Sequence, residues 1–147
     1  MVPAPLPREE YEAIFSRVPR LTVEVVIIMP GEGVLLSRRL SGPCRGLWHI
    51  PGGTVRFGEP LTEAAVRVPR GELGLEVEIG SMIGYIEYPS HLALGDWPVG
   101  VAFRAALSSH AALAAVSRAG QVGWFRECPE EMHEEQKAFL RAHDLAS

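Results

Sequence analysis

Apolar and polar positions along the chain switch between a helical and an extended period. After a proline-rich start from Met1 to Pro7, the segment Arg8 to Phe15 places Tyr11, Ile14 and Phe15 on one helical face. This short helix is expected to lie against the rest of the domain or a partner subunit. The run LTVEVVIIM from Leu21 to Met29 is rich in β-branched residues and reads as a strand. Pro30-Gly31-Glu32-Gly33 turns it into a second strand, Val34 to Arg38. A loop from Ser41 to Gly46 leads to Leu47-Trp48-His49-Ile50 and to Pro51-Gly52-Gly53, where the glycines are expected to take backbone angles barred to other residues. After another short strand, Pro60 opens a helix that runs to about Leu73 and stops at Gly74. Strands are expected over Val77 to Tyr88, Pro98 to Leu107 and Gln121 to Phe125. A last helix should open at Pro129 and reach about His143, acidic at its start and basic later, as the helix dipole favours. No repeat or domain boundary is visible, so one α/β domain with a mixed sheet is expected over residues 1–147, with 1–20 as an N-terminal extension.

A chain of 147 residues can bury a core without disulfides or a structural metal, and 47% apolar with 22% charged residues argues against disorder. The 14 Lys and Arg residues against 18 Asp and Glu give a net charge of -4, the wrong sign for a nucleic-acid partner. Cys44 and Cys128 lie far apart without a C-x-x-C pairing. They read as small core or edge residues that offer no zinc site, in a reducing compartment. No apolar run is long enough to cross a bilayer, and the first residues lack the pattern of a signal peptide. A cytoplasmic location and no membrane partner are expected.

The chemistry-bearing stretch runs from Gly53 through Gly58, Glu59, Arg67 and Glu72 to Gly74 and Leu75, in the order strand, loop, helix and loop. Here the chain resembles the Nudix family, whose signature is G-x5-E-x7-R-E-U-x-E-E-x-G-U with U an aliphatic residue. In that pattern three glutamates fall at helix positions i, i+3 and i+4 and gather their carboxylates around a hard divalent cation. In this chain the three positions hold Val68, Gly71 and Glu72. Pro69 occupies the aliphatic position, and a proline within a helix costs about 3 kcal/mol. A softer last turn with fewer charges is the expectation.

The resemblance implies a Nudix-fold α/β/α sandwich with Mg²⁺ or Mn²⁺ as cofactor, Glu72 as metal ligand and catalytic carboxylate, and the backbone carbonyl of Gly53 as a second ligand. Mg²⁺ is often held by one or two carboxylates together with substrate phosphates, so weak metal binding without substrate is expected. Leu35 to Arg39, Pro43, Gly46, Trp48 and Pro51-Gly52-Gly53 are similar to the family's GDP-mannose mannosyl hydrolase subgroup, which also lacks those two glutamates. That similarity implies that Arg39 contacts the nucleotide diphosphate. The subgroup's Gln-His pair of metal ligand and base corresponds to Arg118 and Ala119, neither of which can serve. Gln121 is a neutral candidate ligand nearby, and His91, in Pro89-Ser90-His91, is the candidate replacement base.

Each candidate also has a plainer reading. Arg67 either orients a carboxylate, and so counts among the catalytic set, or pairs with Glu63 one turn away. Glu59 is expected to stabilise the helix start. Arg38 and Arg39 point to opposite faces of a strand, and Arg39 is the one assigned to the cleft. Trp48 is expected to pack in the core, and His133 and His143 to sit on an exposed helix, while His110 has no context. Two functions follow. The first is a hydrolase of a nucleoside diphosphate linked to another moiety, such as a nucleotide sugar, with weak or modified activity. The second is a catalytically silent nucleotide-binding or regulatory module. A homodimer is compatible with the N-terminal helix.

Overall fold

The computed structural model describes residues 4–108 and 121–147. His110, Arg118 and Ala119 lie outside the described residues. Seven described strands are β1 (Arg20–Met29), β2 (Gly33–Arg38), β3 (Trp48–His49), β4 (Gly52–Thr54), β5 (Val77–Glu87), β6 (Pro98–Leu107) and β7 (Val122–Phe125). They form one mixed sheet with the path β3-β2-β1-β6-β5, on which β4 also pairs with β1 and β7 with β2. The β1·β6 pair is parallel and the other ladders are antiparallel.

Strand β1 is central because both of its faces are buried, and its alternation sorts two cores. Val23, Val25 and Ile27 face α2 (Leu61–Leu73), where they meet Ala64, Ala65 and Val68. Val26 faces the opposite layer, with Ile50, Tyr88, Phe139 and Leu140, the last two from α3 (Glu134–Ala142). The expected sandwich of helices on both sheet faces is therefore what forms. The N-terminal helix α1 (Arg8–Phe15) buries no residue fully, and it docks on its own chain through Tyr11, whose hydroxyl lies 2.6 Å from Thr54 Oγ1. No described helix is long and apolar enough to cross a membrane.

Helix α2 runs unbroken through Pro69 and ends where Gly74 turns left-handed at φ 67°. There the Gly74 and Leu75 amides donate to the Arg70 and Pro69 carbonyls. Two expectations need correction. Gly52 and Gly53 do not adopt unusual backbone angles. Close approach is what favours glycine here: a Cβ on Gly52 would lie 2.9 Å from the Val23 carbonyl oxygen and force a shift, and one on Gly53 would lie 3.1 Å from Val68 Cγ2, a tight contact with a side chain. The last helix begins at Glu134 rather than Pro129, because the backbone there pairs with β3. The Trp48 amide donates to the Glu131 carbonyl and the His133 amide to the Trp48 carbonyl, which holds residues 131–133 out of helical geometry.

Candidate functional site

Glu72 projects from the last turn of α2, one turn beyond Val68 and on the same face. Val68 is buried against Gly53, so an aliphatic contact stands at this position, while a Cβ on Gly71 would meet open space. The Glu72 side chain is 31% exposed, and its Oε1 lies 3.3 Å from both the Ser37 hydroxyl, which donates to it, and His49 Nε2. These contacts are long for a carboxylate and leave most of its lone pairs uncommitted. Ser37 from β2 and His49 from β3 face each other across the ladder, Ser37 opposite His49, which is why the three groups converge. His49 was not singled out from the sequence, where it appears only as one residue of a short segment.

Glu72, His49, Ser37, Arg39 and Gln121 line one open cleft of about 460 Å³. His49, Arg39 and Gly52 also border a larger one of about 710 Å³, whose walls include Gly53, Tyr11, Tyr88, His91 and His133. Arg39 makes no side-chain hydrogen bond or ion pair among the described residues. Arg38, by contrast, reaches Glu131 at 3.4 Å and lies over the Trp48 ring. Trp48 itself packs edge-on against Phe125, as a core residue should.

Arg67 holds Glu59 with two hydrogen bonds of 2.6 and 2.9 Å and donates a third to the Thr54 carbonyl, tying the helix start to β4. The carboxylate it pairs with is thus Glu59, eight residues earlier, and not Glu63 one turn away. The Glu59 side chain is 2% exposed, and its hydrogen bonds from Arg67 hold its carboxyl below the usual value.

Inside the larger cleft lies a group that the sequence signalled without being read: Glu24, the one charge in the apolar run of β1. It accepts hydrogen bonds from Thr22 Oγ1 and the Tyr88 hydroxyl, which in turn accepts from Gln136 Nε2. Burial raises the Glu24 carboxyl to about 7, although its hydrogen bonds pull the other way. Gly100 on β6 makes room for it, since a Cβ there would overlap the carboxylate.

His91 sits in a 3-10 helix, Pro89–Leu94, with Nε2 2.9 Å from His133 Nε2 and Nδ1 3.7 Å from Asp96 Oδ2. It borders the larger cleft and not the one holding Glu72. His133 is not on an exposed helix face: it is 6% exposed at the start of α3, and burial pushes its imidazole down to about 4. The backbone pairing with β3 turns its side chain inward. His143 is exposed, as expected.

Comparison with known proteins follows the same lines. A family model described as NUDIX domain matches residues 18–141. The low-salt glycan biosynthesis protein Agl8 of Haloferax volcanii is 47% identical over 83 residues, covering 56% of this chain and 53% of that protein. The ADP-ribose pyrophosphatase of Methanocaldococcus jannaschii is 36% identical over 63 residues, covering 43% of this chain and 37% of its own length. The chain thus spans about half or less of these relatives. Among solved structures, a MutT NUDIX hydrolase from Burkholderia pseudomallei superposes with a TM-score of 0.71 at 23% identity, covering 89% of this chain and 100% of that one, a likeness of fold.

Proposed function

This chain belongs to the NUDIX family, and from that premise we propose that it hydrolyses a nucleoside diphosphate linked to a sugar or similar moiety. The observation that carries the reading is the convergence of Glu72, His49, Gln121 and the uncommitted guanidinium of Arg39 on one cleft that abuts a larger one. Two matched relatives support the substrate class: one is named for glycan biosynthesis, which draws on activated sugars, and one for ADP-ribose.

Divalent metal use is general in the family. The oxygen donors lining the smaller cleft suit a hard cation: the underused carboxylate of Glu72 and the Gln121 amide would hold Mg²⁺ or Mn²⁺ jointly with substrate phosphates, and the Gly53 carbonyl, on the wall of the adjoining cleft, is the further ligand that the family resemblance implies. When bound, such an ion neutralises the diphosphate and polarises it towards attack. Arg39 binds the diphosphate and stabilises the charge that develops on the leaving group. His49, in contact with Glu72, accepts the proton of the attacking water. This gives His49 the base role for which His91 is the candidate from sequence. Arg67 acts on the site by anchoring Glu59 and β4, and with it Gly53.

The test is Glu72→Gln, assayed with Mg²⁺ and Mn²⁺ on a panel of nucleotide sugars and ADP-ribose. Turnover is expected to fall at least 100-fold with thermal stability retained, and a variant as active as wild type removes Glu72 from the mechanism. Val68 and Gly71, where two carboxylates are missing, favour a second reading as a silent nucleotide-binding module. That reading prevails if the panel raises the melting temperature without product at high protein concentration.

A further inference from the structure

Three elements far apart in the sequence bring one soft and two borderline donors together. Cys44 comes from the loop after β2, His91 from the 3-10 helix and His133 from the start of α3, and their donor atoms all lie within 4.8 Å of one another. His91 Nε2 is 2.9 Å from His133 Nε2 and 4.0 Å from Cys44 Sγ. A tetrahedral zinc with Zn–N of about 2.0–2.1 Å and Zn–S of about 2.3 Å sets its nitrogens about 3.4 Å apart and nitrogen from sulfur about 3.6 Å apart. The His91–His133 and His91–Cys44 separations differ from that frame by about 0.5 and about 0.4 Å, and the Cys44–His133 separation, at most 4.8 Å, closes towards it by rotation of the Cys44 side chain.

The surroundings are arranged for ligation. His91 Nδ1 faces Asp96 Oδ2 at 3.7 Å, and Asp96 is itself gripped by Arg20 through two hydrogen bonds of 2.7 and 3.1 Å. This sequence of cation, carboxylate and imidazole is the outer arrangement that orients a metal-bound histidine. The Tyr88 ring packs against both imidazoles, with centroids 5.4 and 5.2 Å away, and limits their rotation. All three residues line the larger cleft, which adjoins the one holding Glu72, so a fourth ligand can reach the cluster from that cleft.

We propose that Cys44, His91 and His133 form a zinc-type transition-metal site with an open fourth position, separate from the oxygen-donor site at Glu72. The donor set decides the metal. A thiolate with two imidazoles selects Zn²⁺, Co²⁺ or similar ions and discriminates against Mg²⁺, Mn²⁺ and Ca²⁺, which prefer oxygen. Three protein ligands and one open position is the composition of a site that binds water or a ligand oxygen. The expectation that neither cysteine contributes to a zinc site is thereby revised for Cys44: a C-x-x-C search looks for neighbours in sequence, whereas these ligands are neighbours only in the fold.

The test is titration of the metal-free full chain with Co²⁺, followed by visible and near-ultraviolet absorption and by competition with Zn²⁺. One equivalent is expected to bind with a thiolate-to-cobalt charge-transfer band and the d–d intensity of tetrahedral coordination. Excess Mg²⁺ should not displace it. Cys44→Ser should abolish the charge-transfer band, while Cys128→Ser keeps it. Asp96→Asn should weaken binding about 10- to 100-fold. Glu72→Gln should leave the cobalt spectrum unchanged, so loss of hydrolysis and loss of this site are read separately. A spectrum without the thiolate band, or one that survives Cys44→Ser, overturns the proposal. So does displacement by Mg²⁺.

Discussion

Replacing Glu24 with Gln isolates the most perturbed carboxyl of the cleft. In the folded chain this group titrates at about 7 against an ordinary value of 4.5, with burial as the dominant cause. The folded state therefore binds the proton more tightly than the unfolded state. The stability this confers is fully present below about pH 4.5 and is lost as pH rises through about 7. At about 1.4 kcal/mol per tenfold change in proton affinity, the loss is roughly 3 kcal/mol. Glutamine has the same shape and can accept from Thr22 and Tyr88 through its carbonyl oxygen, but it never ionises. Relative to wild type, Glu24→Gln should gain roughly 3 kcal/mol between pH 4.5 and 8, or roughly 10 °C in melting temperature for a chain of this size. The wild-type profile alone conceals this, because buried His133, held down to about 4, loses stability in the opposite direction as pH falls below its ordinary 6.5. The measurement is the difference between wild-type and variant unfolding free energies, from urea titrations followed by tryptophan fluorescence in chelator-containing buffer. Parallel profiles across pH 5 to 8 would refute the account of Glu24 as a buried, neutral acid.

Arg67→Met should leave the Glu59 carboxylate buried without its cation and cost about 3 kcal/mol in urea unfolding at pH 7. Because Glu59 is held below its usual value, the stability it contributes is present above that value and is lost as pH falls through the folded one. The wild-type advantage over Arg67→Met should therefore shrink on acidification, and a pH-independent difference would contradict the pairing. Gly100→Ala should cost about 1–3 kcal/mol by forcing the new methyl group against Glu24, and the cost should drop in a Glu24→Ala background; additive effects would place the strain elsewhere.

Local pattern was enough for most of the architecture. The alternation of β6 and the apolar stripe of α2 each state a period, which selects the element and its buried face, while the continuous β-branched run of β1 marks a strand covered on both faces. Glycine and proline marked the end of α2 and the turn after β1 for the same local reason. The box from Gly53 to Leu75 likewise exposed its own departures, since Val68 and Gly71 are visible as missing carboxylates before any coordinates are known.

What the tertiary structure decided was which distant side chains meet. His49 joins Glu72 because β2 and β3 pair in one particular register, and His133 turns inward because its backbone bonds to β3 instead of continuing a helix. Glu24 becomes a nearly neutral acid only because Tyr88, Gln136 and α3 close over it, although its lone charge in an apolar strand was a signal in the sequence. Cys44, His91 and His133 share no local period at all. A period is set by neighbours a few bonds away, whereas a site is set by the packing of whole elements, and only the folded chain carries that information.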